Sequence, residues 1–184
     1  MRFLLLKNIA EFKNTVKEVV MSLVGTNIKV ETKDKHLIIY HNYDNLDELE
    51  ELLLALESGL MVSINAYNSY DKDEARLKKE LNIALKLIDS LPNGVYDLKS
   101  ALLTNTIVSN HNEILEFILD KTDIDSDFIR SFVECDLNVS KASKTMFIHR
   151  NTLNYKLDKL NEISGFDLRK FKDAFILYFL VGNR

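Results

Sequence analysis

The side chains in this 184-residue chain best suited to chemistry are gathered in one short stretch, between positions 141 and 159. Arg150, Asn151, Thr152, Asn154 and Tyr155 fall within six consecutive positions, flanked by Lys141, Lys144, His149, Lys156 and Lys159. Asn pairs bidentately with adenine, Arg pairs with guanine or phosphate, and the Thr methyl touches thymine. Lysines suit phosphate oxygens, which position a protein on a duplex without reading its sequence. The pattern therefore predicts base reading by Arg150, Asn151, Thr152, Asn154 and Tyr155, and phosphate contacts from Lys141, Lys144, His149, Lys156 and Lys159. A basic helix pair alone is usually only a solvated surface; here the lysines stand beside the Arg-Asn-Thr triplet.

Three short helices must hold these side chains. Leu153, Leu157 and Leu160 form the core stripe of a helix starting near His149. At about 100° per residue, Asn151 and Tyr155 lie about 160° and 200° from Leu153, opposite the core. His149 stands at the cap position of that helix, whose first N–H groups offer a phosphate site. Asn138 is the expected cap of a preceding helix in which Ala142 and Met146 face inward four residues apart. The small Ala142 suits the close approach of two helices at a tight turn. Upstream, Asp125 or Ser126 caps a supporting helix to about Cys135, with Phe128, Phe132 and Val133 as its apolar face. Downstream, Gly165 stops the reading helix. A last helix over 166–181 is expected to close the core through Leu168, Phe171, Phe175 and Phe179, and the apolar 175–181 stretch also suits a symmetric dimer.

The run Ser140-Lys141-Ala142-Ser143-Lys144-Thr145-Met146-Phe147-Ile148-His149-Arg150-Asn151-Thr152-Leu153-Asn154-Tyr155-Lys156-Leu157 resembles the C-terminal helix-turn-helix of the PucR/CdaR transcriptional regulators. Glu162-Ile163-Ser164-Gly165-Phe166-Asp167-Leu168 continues the likeness, which covers about the last third of the chain. The family commonly has Ala at 143, Leu at 146 and Arg at 156, where this chain has Ser143, Met146 and Lys156. The resemblance implies a transcriptional regulator that binds double-stranded DNA and performs no catalysis.

The chain upstream is organised differently. The single proline, Pro92, opens a Pro-Asn-Gly turn after a long helical pattern and marks a boundary. Before it, strands are predicted over 2–6, 28–32, 36–40 and 60–66. Helices are predicted on the stripe Phe12, Val16, Val19, Val20, Leu23, over 44–56, and over 71–91. The order βαββαβα predicts a split-βαβ, ferredoxin-like sheet with helices on one face. The fold class is thus α+β, with a palm-type domain over 1–92, connecting helices over 93–123 and an all-α helix-turn-helix domain over 124–184. PucR-type regulators often carry a degenerate, GGDEF-like palm before the helix-turn-helix, and this order is similar to it. An active palm needs a Gly-Gly-acid-Glu-Phe hairpin and an acid after its first strand. This chain has Thr32-Lys33-Asp34-Lys35 and Lys7-Asn8, so the palm is expected to be inactive.

Charge is unequal along the chain. Residues 128–184 hold ten Lys and Arg against six Asp and Glu, a surplus of four; with a total of −4, the rest carries −8. A local basic surface suffices for phosphate binding. Cys135 is the only cysteine, which excludes an intramolecular disulfide and a Cys-rich zinc site. His36 and His41 read as strand-surface residues rather than metal ligands. No apolar run is long enough to cross a bilayer. The chain is expected to be cytoplasmic and homodimeric, with no cofactor or metal and no membrane partner, and to answer to a small-molecule effector if to any. Two rival readings are a palm that still binds nucleotides and a helix-turn-helix that serves protein interaction.

Overall fold

A strand covered on one face alternates apolar and polar residues, whereas Phe3-Leu4-Leu5-Leu6 is unbroken, which requires cover on both faces. The computed structural model describes residues 1–7, 9–24, 28–42, 46–71, 73–105 and 110–182, and it provides that cover. The chain divides into two compact units, Met1–Asn105 and Thr106–Arg184. The boundary between them falls within the stretch 93–123.

The first unit runs β1 (Arg2–Lys7), α1 (Lys13–Val24), β2 (Lys29–Lys33), β3 (His36–His41), α2 (Leu46–Leu60), β4 (Asn65–Asn68), α3 (Glu74–Ile88), β5 (Gly94–Tyr96) and α4 (Leu98–Thr104). The sheet order is β2-β3-β1-β4-β5; each of the first four strands is antiparallel to its neighbours among them, and β5 lies parallel to β4. Register places Leu6 opposite both Leu37 and Ala66, and Leu4 opposite Ile39. These five side chains share a face with Val16 and Val20 of α1 and Leu52, Leu53 and Leu56 of α2. Leu5 stands opposite Ile38 and Tyr67 on the other face, where the Phe3 and Tyr67 rings stack at 6.0 Å. There the Tyr67 hydroxyl donates to Glu80 of α3 at 3.0 Å. Helices therefore lie on both faces of the sheet, not one. The cause is the parallel β4-α3-β5 crossover, which returns α3 across the face that α1 and α2 leave open.

Two further expectations change. The predicted strand over 60–66 begins late, because α2 continues to Leu60 and ends at Met61, whose φ is +54°. The leucine stripe of α2 carries the helix on before the chain extends into β4. His36 and His41 are buried rather than on the strand surface, and His36 Nε2 meets Asp89 Oδ1 at 3.1 Å. The β2–β3 hairpin forms as expected, with Lys33 opposite His36 and Asp34 in the turn at φ +54°. The expected helix stop at 25–27, Asn8, and the start of the 44–56 helix at 44–45 lie outside the described residues.

The second unit is all helical: α5 (His111–Leu119), α6 (Ser126–Glu134), α7 (Val139–Thr145), α8 (Arg150–Ser164) and α9 (Phe171–Gly182). α9 packs on α5 and α6, and α7 packs on α6 and α8. The core holds Phe128, Ile129 and Phe132 of α6, Leu153, Leu157 and Leu160 of α8, and Phe166 and Leu168 of the following loop. From α9 it takes Ala174, Ile176, Leu177, Leu180 and Val181. Of the residues expected to close this core, Leu168 is sealed in it and Phe179 is half-buried, but Phe171 is 76% exposed and Phe175 46%. α9 is apolar on nearly every side, so periodicity alone does not choose its buried face. Phe171, Phe175 and Phe179 stack in sequence at 6.3 and 6.4 Å, and Phe179 meets the His111 ring edge-on.

Candidate nucleic-acid interface

Each of the three helices that frame the interface begins with a side chain satisfying the backbone N–H groups that a helix N-terminus leaves free. Asp125 accepts from the N–H of Phe128 at 2.8 Å. Asn138 accepts from those of Ser140 and Lys141 at 2.9 and 3.0 Å. His149 caps α8, its Nδ1 accepting the Asn151 N–H at 3.2 Å, which leaves the ring proton on Nε2. Gly165, at φ +76°, ends α8 in the left-handed conformation that glycine adopts without penalty. Sequence and local structure agree at every one of these positions.

Ala142 is completely buried at the α7–α8 crossing, and its carbonyl accepts from the Met146 N–H at 2.8 Å. Met146, read as facing inward, is half-buried. The turn to α8 is tight: the Ile148 N–H donates to the Ser143 carbonyl at 3.0 Å, and Phe147 takes φ +53°. Leu153, Leu157 and Leu160 are all sealed in the core, which fixes the rotation of α8. Arg150, Asn151 and Thr152 are consequently exposed at its first turn, and Tyr155 is 62% exposed one turn on. Asn154 is half-buried at the edge of that face.

The five basic candidates divide into two groups. Lys159 Nζ lies 2.6 Å from Asp123 Oδ2, and Lys156 donates to the Asp123 carbonyl while its ammonium sits 5.9 Å over the Phe128 ring. Both tie α8 back to the chain entering α6. Their hydrogen bond holds the Asp123 carboxyl below its ordinary value and raises the Lys159 ammonium. Lys141 pairs with Asp136 at 2.7 Å, which raises its ammonium also, but remains on the surface. Lys144 is exposed, and among the described residues no ion pair or side-chain hydrogen bond engages it or Arg150. His149 is exposed beside them.

Three features escaped the sequence reading. Asp123 gathers Lys156 and Lys159 from 33 and 36 residues away, which no local spacing reveals. Arg169 bridges Asp158 of α8, at 2.8 Å, to Asp167 of the following loop. Phe147 is 96% exposed at the turn. A large apolar residue in a turn, outside any helical stripe, was the available signal for the last.

Three helices with a tight second turn and an exposed first turn on α8 define a helix-turn-helix domain. Residues 127–181 match the model of the PucR C-terminal helix-turn-helix domain. The chain is 31% identical over 153 residues to the uncharacterized protein YxkF of Bacillus subtilis (strain 168), covering 73% of this chain and 50% of that protein. It is 42% identical over 50 residues to the DNA-binding transcriptional activator AdeR of the same organism, covering 27% of this chain and 12% of AdeR. The chain thus spans about half the length of YxkF and a smaller part of AdeR. The fold is also similar to the crystal structure of a regulator of polyketide synthase expression from Bifidobacterium adolescentis. That likeness has a TM-score of 0.51 at 14% identity, over 98% of this chain and 78% of the other. Among the described residues no helix is long and apolar enough to cross a membrane.

Proposed function

We propose that the chain is a DNA-binding transcriptional regulator of the PucR type, acting through α7 and α8 and performing no catalysis. The observation that carries this reading is the first turn of α8: Arg150, Asn151 and Thr152 stand exposed where recognition helices meet base edges. Asn151 reads adenine, Arg150 reads guanine or holds a phosphate, and Thr152, Asn154 and Tyr155 complete the base-facing surface. Lys144, Lys141 and His149 Nε2 supply the phosphate contacts. Lys156 and Lys159, committed to Asp123, serve to set the angle of α8 rather than to bind DNA.

The first unit is read as a palm-type module without enzyme activity that receives a signal, such as a small-molecule effector, or mediates dimerisation. Its first four strands follow the order β2-β3-β1-β4, all antiparallel, as a split-βαβ frame requires, with β5 added at the edge. Where an active palm places an acid after its first strand, Lys7 instead donates to the Asp89 carbonyl at 3.0 Å. A homodimer is supported by the exposed Phe171 and Phe175, stacked in line with the half-buried Phe179, an apolar surface that suits a second copy.

The test is selection from a random duplex library by the full chain and by Asn151→Ala, at one fixed salt concentration near physiological strength. Wild type is expected to enrich a site, a palindrome if the protein is dimeric. Asn151→Ala is expected to lose about 1–3 kcal/mol on that site while retaining its binding to random duplex. Enrichment by neither protein would remove the regulator reading and bring forward the alternative of a protein-interaction domain.

A further inference from the structure

Phe147 is the described side chain least explained by folding. It is 96% exposed, so its ring contributes almost nothing to the core. Its backbone stands at φ +53°, a region that penalises any residue with a Cβ. Glycine would occupy the position without that penalty. The turn itself is held by other groups: the Phe147 N–H donates to the Lys144 carbonyl at 3.3 Å, and Ile148 is half-buried beside it. A large apolar side chain at a strained position with no folded contact points to a contact made outside the chain.

The surroundings of Phe147 select the chemistry of that partner. Residues 137–157 contain four Lys and Arg and no Asp or Glu. Lys144 and Arg150 stand three positions to either side of Phe147, and both are exposed. The occupant is therefore polyanionic with an apolar element at its rim. Phe147 lies two residues before the cap of α8, about 7 Å of extended chain from it and about 10 Å from Arg150 of the base-reading turn. In the major groove of a duplex, the apolar element is the C5-methyl of thymine.

We propose that Phe147 reads a thymine methyl at the edge of the sequence bound by α8, adding an apolar specificity contact to the polar ones. This rests on the DNA-binding reading above. The ring packs on the methyl while Lys144 and Arg150 hold the adjoining backbone.

The test uses the full chain and the duplex enriched by wild type, with each thymine replaced in turn by deoxyuridine, which lacks only the methyl. For wild type, one such replacement per half-site is expected to weaken binding about fourfold, the equivalent of one buried methyl. In Phe147→Ala the replacement at that thymine is expected to have no effect, whereas a thymine met by the Thr152 methyl keeps its sensitivity. Phe147→Gly, which relieves the left-handed backbone, is expected to melt no lower than wild type and to lose the same contact. If no thymine is coupled to Phe147 while Asn151→Ala still abolishes selection, the regulator reading stands and this inference fails. A shift in oligomeric state on Phe147→Ala with unaltered DNA affinity overturns it in favour of a protein contact. If wild type selects no duplex at all, both fall together.

Discussion

Lys144 and Lys159 carry the same charge within one small domain but stand in different surroundings, Lys159 beside Asp123 and Lys144 exposed, and salt dependence tests whether they do different work. A cation that neutralises a phosphate releases a condensed counterion, so each contact steepens the fall of log K with log salt by about 0.9. Raising salt fourfold, from about 50 to 200 mM, makes one such contact worth about 3.5-fold in affinity. Lys144→Ala is therefore expected to flatten the slope by about 0.9 for each subunit on the duplex, hence about 1.8 for a dimer on two half-sites. Lys159→Ala is expected to leave the slope unchanged, because its ammonium already faces Asp123 at 2.6 Å.

Fluorescence anisotropy with the selected duplex, at four or more salt concentrations, gives each slope directly. Lys159→Ala is expected to act on affinity through the seating of α8, by a factor that does not vary with salt. Asp123→Asn should reproduce that constant factor, since it removes the same tie from the other side. If Lys159→Ala flattens the slope as much as Lys144→Ala does, the ion pair opens on DNA and the division of labour drawn here is wrong.

Two further predictions concern stability. Ala142→Leu forces three carbons into a site with no exposure, where overpacking costs about 1–3 kcal/mol. In a domain of this size that lowers the melting temperature of the second unit by roughly 10 °C, measured by circular dichroism; a shift of a degree or two would refute the crossing geometry. Glu80, buried under the sheet, accepts from the Tyr67 hydroxyl and from the N–H groups of Tyr70 and Asp71 at 3.0, 3.0 and 3.2 Å. Glu80→Gln sets an amide donor against one of those N–H groups, at a cost of about 1–3 kcal/mol. Burial raises the Glu80 carboxyl above its ordinary value, so the folded state binds this proton more tightly than the unfolded one. Its contribution is therefore full in acid and is lost as pH rises through the raised value. Urea titrations of both proteins at several pH values should show the Gln deficit shrinking as pH increases; a deficit that grows would reverse the sign of this linkage.

What was legible in the chain was what short-range chemistry decides. Caps at Asp125, Asn138 and His149, the Gly165 stop, the small Ala142 and the leucine stripe of α8 all act within one or two helical turns, and local spacing displays them. The hairpin at Asp34-Lys35 belongs to the same class. What was not legible depended on partners far along the chain. The outward turn of Phe171 and Phe175 follows from which side of an almost wholly apolar helix meets α5 and α6. The cover on both faces of the sheet follows from the path of α3, and the short β5 is a strand only because β4 lies beside it. The same division runs through the candidate site. The exposed set at the start of α8 was visible as a helical face, whereas the separation of Lys144 from Lys156 and Lys159 required the position of Asp123, more than thirty residues away. A lysine's charge is written in the sequence, but its availability to a phosphate depends on which carboxylates and carbonyls the fold brings within reach.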